Sequence, residues 1–389
     1  MTMRRCLLYV HFPYCVTRCN YCDFNTYEAK EMPLDAYTRA ILAEGRHRSP
    51  RWSASELSSI FLGGGTPSLW GAANVAKVLR AAMGWFPNRS ANLEVTLECN
   101  PAEVNSRFLA AYRAAGVNRL SLGIQSLHDA LLKRISRRHS GEQAMLALRT
   151  ALDTAFDSVS ADLMYGLPGQ TLEQWTTDLK AVADTGVPHI SAYHLTLETG
   201  TALTREVSAG RVTLPAEEEQ NEFWEAIEPI LSPYGYELYE ISNLAQPGHE
   251  SRHNQGYWQG HAYLGLGAGA HSLELPEQWD PDASVKRTMN ARQPQDFMKR
   301  VLEHGHGEQN SELLDIHSHL RERMFTGLRQ LDGICMAQIS ADLGIDPRLE
   351  FAAQLESLVA RELVMIRGDQ LSLTRHGLRF ANDVFLSFF

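Results

Sequence analysis

The chain has 389 residues, with 36 Lys and Arg against 46 Asp and Glu, and 44% of it is apolar. That composition excludes long disorder, a collagen-like repeat and a coiled-coil rod, and at about 150 residues per domain the length suggests two or three domains. A formal charge of −10 argues against wrapping nucleic acid, and six cysteines are too few for a disulfide-stapled secreted scaffold.

The N-terminus carries Arg4 and Arg5 and then a short apolar run over residues 7–12. The run stops at Pro13, contains His11 and lacks a small-residue cleavage site, so it predicts a first β-strand and not a signal peptide. No stretch reaches the roughly 18 apolar residues needed to span a bilayer. Unpaired cysteines then fit a reducing, cytoplasmic compartment. Next come a helix over 34–46, a strand over 59–62 running into Gly63-Gly64-Gly65, and a helix over 72–83. A strand over 93–97, a helix over 103–115 closed by Gly116, and a strand over 119–124 follow. Helices fill 127–156, and a strand over 158–164 ends in Tyr165-Gly166-Leu167-Pro168-Gly169. A helix over 172–185 and a sixth strand over 189–197 complete the series.

Strands alternating with helices indicate parallel βα units, either a doubly wound sheet or a barrel. Right-handed crossovers put every strand's C-terminal end on one face. The uncommon sequences all sit at or just after strand ends: a cysteine trio, the glycine run, Glu98, Gln125 and Asp162. In a barrel that face carries the chemistry. Beyond Gly200 the pattern changes. A helix over 215–231 starts on Glu217-Glu218-Glu219, which suits the positive end of a helix dipole. A strand is expected over 236–241, and 245–289 has no clear periodicity. Helical patterns return from about 294, and Gly368-Asp369 reads as a hairpin turn. This suggests a small C-terminal domain of winged-helix type.

Cys15, Cys19 and Cys22 fall within eight residues. A structural zinc site takes four ligands, commonly as two separated pairs; His11 is available as a fourth. Three thiolates on a [4Fe–4S] cluster leave one iron open for a ligand. Glu98 could accept hydroxyls of a ligand or cap the next helix. The glycine run could bring backbone to a ligand or form a plain turn. The basic run over 133–139 is by default a solvated helix face.

At these residues the sequence resembles the radical S-adenosylmethionine (SAM) superfamily, through Cys-x3-Cys-x2-Cys after a first strand, with Tyr21 before the last cysteine. The resemblance implies a [4Fe–4S] cluster on Cys15, Cys19 and Cys22, and SAM on its open iron. Gly64, Gly65 and Thr66 match the motif for the SAM amino group. Glu98, Gln125 and Asp162 match later strand-end positions, and Arg137 falls where one branch places a ligand-binding arginine. That branch holds oxygen-independent coproporphyrinogen III oxidase and its haem-chaperone relatives; Tyr9, Gly-Ile-Gln-Ser and Asp-Leu-Met-Tyr-Gly-Leu-Pro-Gly-Gln also match it. The implied fold is α/β: a partial (β/α)6 TIM-like barrel over 1–235, an irregular His/aromatic segment over 236–295, and a small helical or winged-helix domain over 296–389.

Two features separate the members of the branch. The oxidase has a cysteine two places after the last cluster cysteine, where this chain has Phe24. The oxidase also has a long extension before its first strand, which here begins within ten residues. Conversely, His253-Asn254-Gln255-Gly256-Tyr257-Trp258 matches the His-Asn-x-x-Tyr-Trp motif of the chaperone group. The resemblance therefore implies haem binding through His253, delivery to haem-accepting respiratory membrane proteins, and a homodimer. The alternatives are oxidation of coproporphyrinogen, and for His253 a histidine satisfied inside a turn. Cys6, Cys99 and Cys335 are expected to be buried small hydrophobes. His304, His306, His317 and His319 read as an exposed linker, and His194 as facing the barrel interior.

Overall fold

The structure is a computed structural model that describes residues 3–277, 279 and 283–389. Six strands lie side by side in chain order, all parallel: β1 (Arg5–Phe12), β2 (Glu56–Gly64), β3 (Arg89–Cys99), β4 (Arg119–Gln125), β5 (Ser158–Tyr165) and β6 (His189–His194). Helices α1 (Leu34–Arg48), α2 (Ala72–Trp85), α3 (Ser106–Ala115), α4 (Asp129–Arg134), α5 (Gly141–Leu152) and α6 (Leu172–Ala183) fall between them. After α7 (Ala202–Ser208) and α8 (Glu217–Leu231), the strands β7 (Glu237–Glu240) and β8 (Asn243–Ala245) extend the sheet antiparallel beyond β6. The order of the twelve-stranded sheet shows that it is open, not a closed barrel.

The stretch 245–289, expected to be irregular, is instead built of short regular elements. It contains α9 (Arg252–Trp258), β9 (Ala262–Leu266) and β10 (His271–Glu274), and it runs into β11 (Val285–Asn290). Each is too short to show a period in the sequence. β9 pairs in parallel with the free side of β1, and β10, β11 and β12 (Glu308–Leu314) continue as an antiparallel meander. The first strand is therefore internal to the sheet, with one neighbour about fifty residues on and the other more than 250 residues on.

The two faces of the sheet differ. Along β1, Cys6, Leu8, Val10 and Phe12 belong to the main apolar core with the helices. The alternate residues Tyr9 and His11 turn to the inner face, as the strand period of two requires. Inner-face residues of β2 to β6 line one cavity, so the sheet curls around it. After α10 (Pro294–His304), a second apolar core, from Ile316 to Phe388, unites α11 (Ile316–Gly327), later short helices and a three-stranded sheet with the hairpin at Gly368.

Two expectations are corrected. Cys335 is exposed, because the short strand Ile334–Cys335 turns Ile334 into the core and Cys335 outward. The histidine tract is an exposed linker only in part: His304 and His317 are exposed, but His306 is half-buried and His319 is buried. His319 is 1% exposed on α11 and stacks on Trp279 with ring centroids 5.3 Å apart. His317 pairs with Glu350 at 2.9 Å.

The meander is fastened to α1 by buried polar groups. Glu44 accepts from the Gly267 amide at 2.9 Å, the Gly307 amide at 3.2 Å and Asn290 Nδ2 at 2.7 Å. One turn on, Arg48 donates to the Gly265 carbonyl, Ser272 and Thr288 and pairs with Glu308 at 3.1 Å. Removing one member of such a buried set leaves the others unpaired, at about 3–5 kcal/mol. Glu44→Ala is expected to lower stability by about that amount in denaturant unfolding. A loss below about 1 kcal/mol, the level of a surface pair, would refute this account of how β9 is held beside β1.

Candidate functional site

The loop between β1 and α1 carries the three cysteines, and backbone bonds hold it. Tyr27 donates to the Pro13 carbonyl at 2.7 Å, Ala29 to Cys15 at 3.0 Å, and Cys22 to Cys19 at 3.2 Å. Three different neighbours reach the thiols: the Thr66 hydroxyl at 3.5 Å from Cys15, Arg137 Nη1 at 3.7 Å from Cys19, and the Thr26 hydroxyl at 3.9 Å from Cys22. Burial pushes the Cys15 thiol up to about 11 and raises Cys22 as well. A ligand bond must displace those protons. Among the described residues no three His, Cys, Asp or Glu side chains converge as a single-ion site. The thiols nonetheless line one cavity of about 490 Å³. Thiols spread round a cavity fit a multi-iron cluster, which takes one thiolate per iron, better than one zinc ion.

The same cavity is lined by Tyr21, Gly64, Gly65, Thr66, Glu98, Gln125, Arg137 and Asp162, so the fold brings these sequence-flagged residues together. The glycines are needed by the chain itself. A Cβ on Gly65 would lie 2.6 Å from the Tyr14 carbonyl oxygen. The Gly64 amide donates to Glu98 at 2.9 Å, Gly65 to Phe12 at 2.7 Å and Thr66 to Tyr14 at 3.0 Å. With those amides spent, what the motif has left to offer an ammonium group is carbonyl oxygen. Capping of the turn after β3 falls to Asn100, whose side chain accepts from Ala102 at 3.2 Å, so Glu98 is not a cap. Gln125 (φ 68°) and Ser136 (φ 59°), next to Arg137, both hold left-handed backbone. Such strain collects where a site demands one side-chain direction. Arg137 is no solvated face residue; it donates to the Gly123 carbonyl and to Cys19.

Deeper on the inner face lies a network that sequence reasoning missed. Asp162 accepts from Ser121 at 2.5 Å and from Ser160 at 2.9 Å. Because Ser160 gives its proton to Asp162, His189 must donate through Nδ1 to the Ser160 oxygen at 2.8 Å. Its Nε2 then accepts from Tyr239 at 2.9 Å, and the Tyr239 oxygen accepts the Ser251 amide at 3.2 Å. The signal was the alternation Ser158, Ser160, Asp162 and His189, Ser191, Tyr193 in otherwise apolar strands.

That network ends at α9, which carries the His-Asn-x-x-Tyr-Trp residues. Ser251 caps the helix, and Glu94 accepts from the Arg252 and His253 amides, both at 3.0 Å. His253 is 1% exposed and is not among the residues lining the thiol cavity. Its Nδ1 lies 2.8 Å from the Ser59 hydroxyl, and its Nε2 is buried with no partner among the described residues. The ring packs on Phe61 at 5.0 Å and edge-on to Tyr257 at 4.8 Å. Burial lowers it to about 3, so it is neutral. Porphyrin has no access to the imidazole in this arrangement. Tyr9 is half-buried and lines a neighbouring cavity.

Burial pushes the Glu98 carboxyl up from 4.5 to about 8, the Gly64 amide partly opposing it. A carboxyl raised on folding binds its proton more tightly in the folded state. Its contribution is therefore present below about 4.5 and lost as pH rises through about 8. Unfolding of the metal-free protein is expected to show stability falling across that window, with a flatter profile for Glu98→Gln. Equal slopes for the two proteins would refute the assignment.

Among the described residues no helix is long and apolar enough to cross a membrane. Residues 9–182 match the Radical SAM superfamily, and residues 314–380 the HemN C-terminal domain. A solved structure of Escherichia coli coproporphyrinogen III oxidase superposes with a TM-score of 0.83 at 23% identity, covering 99% of this chain and 90% of that one. Bacillus subtilis Heme chaperone HemW is 31% identical, covering 98% of each chain. The Escherichia coli protein of that name is 33% identical, covering 97% of this chain and 96% of its own. A mouse mitochondrial radical S-adenosyl methionine domain-containing protein 1 is 35% identical, covering 98% of this chain and 87% of its own. With that identity running end to end, the chain belongs to the HemW-type haem chaperone family of the radical SAM superfamily.

Proposed function

We propose that this chain is a cytoplasmic haem chaperone, and not a porphyrinogen oxidase. In this reading it binds haem, carries a [4Fe–4S] cluster on Cys15, Cys19 and Cys22 with SAM beside it, and hands haem to respiratory membrane proteins, acting as a homodimer. The observation that carries the reading is the end-to-end identity to proteins named haem chaperones, at 31% and 33%. Phe24 supports it, since the ring is 58% exposed beside the cluster loop where the oxidase branch has a further cysteine.

The cluster, when bound, supplies an open iron for the amino and carboxylate groups of SAM and an electron for its sulfonium. The chain's own residues do the rest. Cys15, Cys19 and Cys22 give up their protons to hold iron. Arg137 sets a guanidinium against Cys19. The Gly64–Gly65 backbone would receive the SAM amino group, and the Glu98 and Asp162 carboxylates, which line the same cavity, would accept from its ribose hydroxyls. Tyr21, Thr66 and Gln125 shape the wall between thiols and strand ends.

Anaerobic purification with cluster reconstitution tests this. The wild type is expected to be brown and to retain haem through gel filtration. It is expected to form no protoporphyrinogen from coproporphyrinogen with SAM and a reductant. Multiple turnovers without haem retention would overturn the reading in favour of the oxidase. Cys19→Ser is expected to lose most of the iron–sulfur absorption; a colourless zinc protein would exclude the cluster.

A further inference from the structure

The second cavity, of about 440 Å³, lies on the other side of the cluster loop. It shares Phe24, Gly64 and Glu98 with the cluster cavity as a common wall. We propose that haem binds in this second cavity with His271, not His253, as the protein's ligand to iron. The proposal rests on the chaperone reading and gives it a location.

The walls suit an iron porphyrin. Tyr9, Tyr257 and Tyr263 supply aromatic surface from β1, α9 and β9, with Tyr257 and Tyr263 edge to face at 4.9 Å. Phe24 adds an exposed apolar ring at the lip. Met289, paired with His271 across β10 and β11, adds a flexible thioether. Arg292 stands in the wall with a guanidinium for a propionate, and among the described residues no carboxylate lies within ion-pair distance of it.

The histidines at this place sort by what their nitrogens already do. His11 has both occupied: Nδ1 with the Tyr9 hydroxyl and Nε2 with the Asn25 carbonyl, each at 2.9 Å. His253 is sealed behind Tyr257. His271 is exposed at the cavity, and among the described residues no hydrogen bond holds its ring. Burial of part of the ring lowers the imidazole from its ordinary value, with Arg287 and Arg292 acting the same way and Glu312 opposing them, which favours the neutral, ligating form. His253 then acts as a positioning residue. Fixed on Ser59, it holds Tyr257 upright as the cavity wall, which gives the motif a physical reason without iron contact.

The test is a hemin titration of the full chain with its cluster reconstituted, so that free thiols do not compete for iron. His271→Ala, at an exposed position, is expected to fold, keep its iron–sulfur content, weaken haem binding at least tenfold and lose the histidine-ligated absorption bands. Added imidazole is expected to restore the bands. His253→Ala is expected to weaken binding while leaving the spectrum of the bound haem unchanged. Wild-type-like affinity and spectrum in His271→Ala, with the wild type binding haem, overturns the site and leaves the chaperone reading standing. Loss of the histidine bands in His253→Ala alone also overturns it. A wild type that binds no haem overturns both.

Discussion

A sheet whose inner face is polar can be buried only if each polar group on that face finds a partner, and this constraint organises the molecule. Ser59, Glu94, Ser160 and His189 are all buried there. Their demands are met partly by each other and partly by α9. Glu94 takes two amides of that helix, Tyr239 a third, and Ser59 meets His253. A seven-residue helix is too short to be stable by itself, so it forms because the inner face supplies what its N-terminus lacks. Once in place it closes one end of the curled sheet and leaves the cavities at the strand ends.

The cluster loop depends on the same economy of backbone. Phe12 and Tyr14 give carbonyls to Gly65 and Thr66, so the last residues of β1 and β2 are locked together without side chains between them. The close approach places Cys15 against Thr66 and frees Glu98 to hold the Gly64 amide. A Cβ on either glycine would break the contact from one side: Gly64 meets the His11 ring at 2.4 Å, Gly65 the Tyr14 carbonyl. His11, held by Tyr9 and Asn25, thereby links the cluster loop to the second cavity.

Much of this was legible in the sequence, for identifiable reasons. The six parallel strands show as apolar runs alternating with helical periods, because strands covered on one face by helices are rich in Leu, Val and Ile. The site residues show because they sit at strand ends, where a break in that pattern is easy to see. The placement of β9 beside β1 was not legible, since five residues carry no period and a partner 250 residues away leaves no local trace. Nor was the burial of His253: the motif reads the same whether its imidazole faces iron or Ser59.

The sequence by itself determined the chemistry that is available: three thiols on one loop, glycines at a strand end, carboxylates at two more, and membership of a family with those marks. Those are properties of residue type and spacing, which the chain carries before it folds. Tertiary structure decided which side chains stay accessible. That depends on long-range contacts such as Glu44 with Gly267 and Glu94 with α9, where burial either spends a polar group on the protein or leaves it facing a cavity. His253 and His271 lie eighteen positions apart in one motif-rich stretch, and that difference in burial separates a residue that supports the wall from one that faces the cavity.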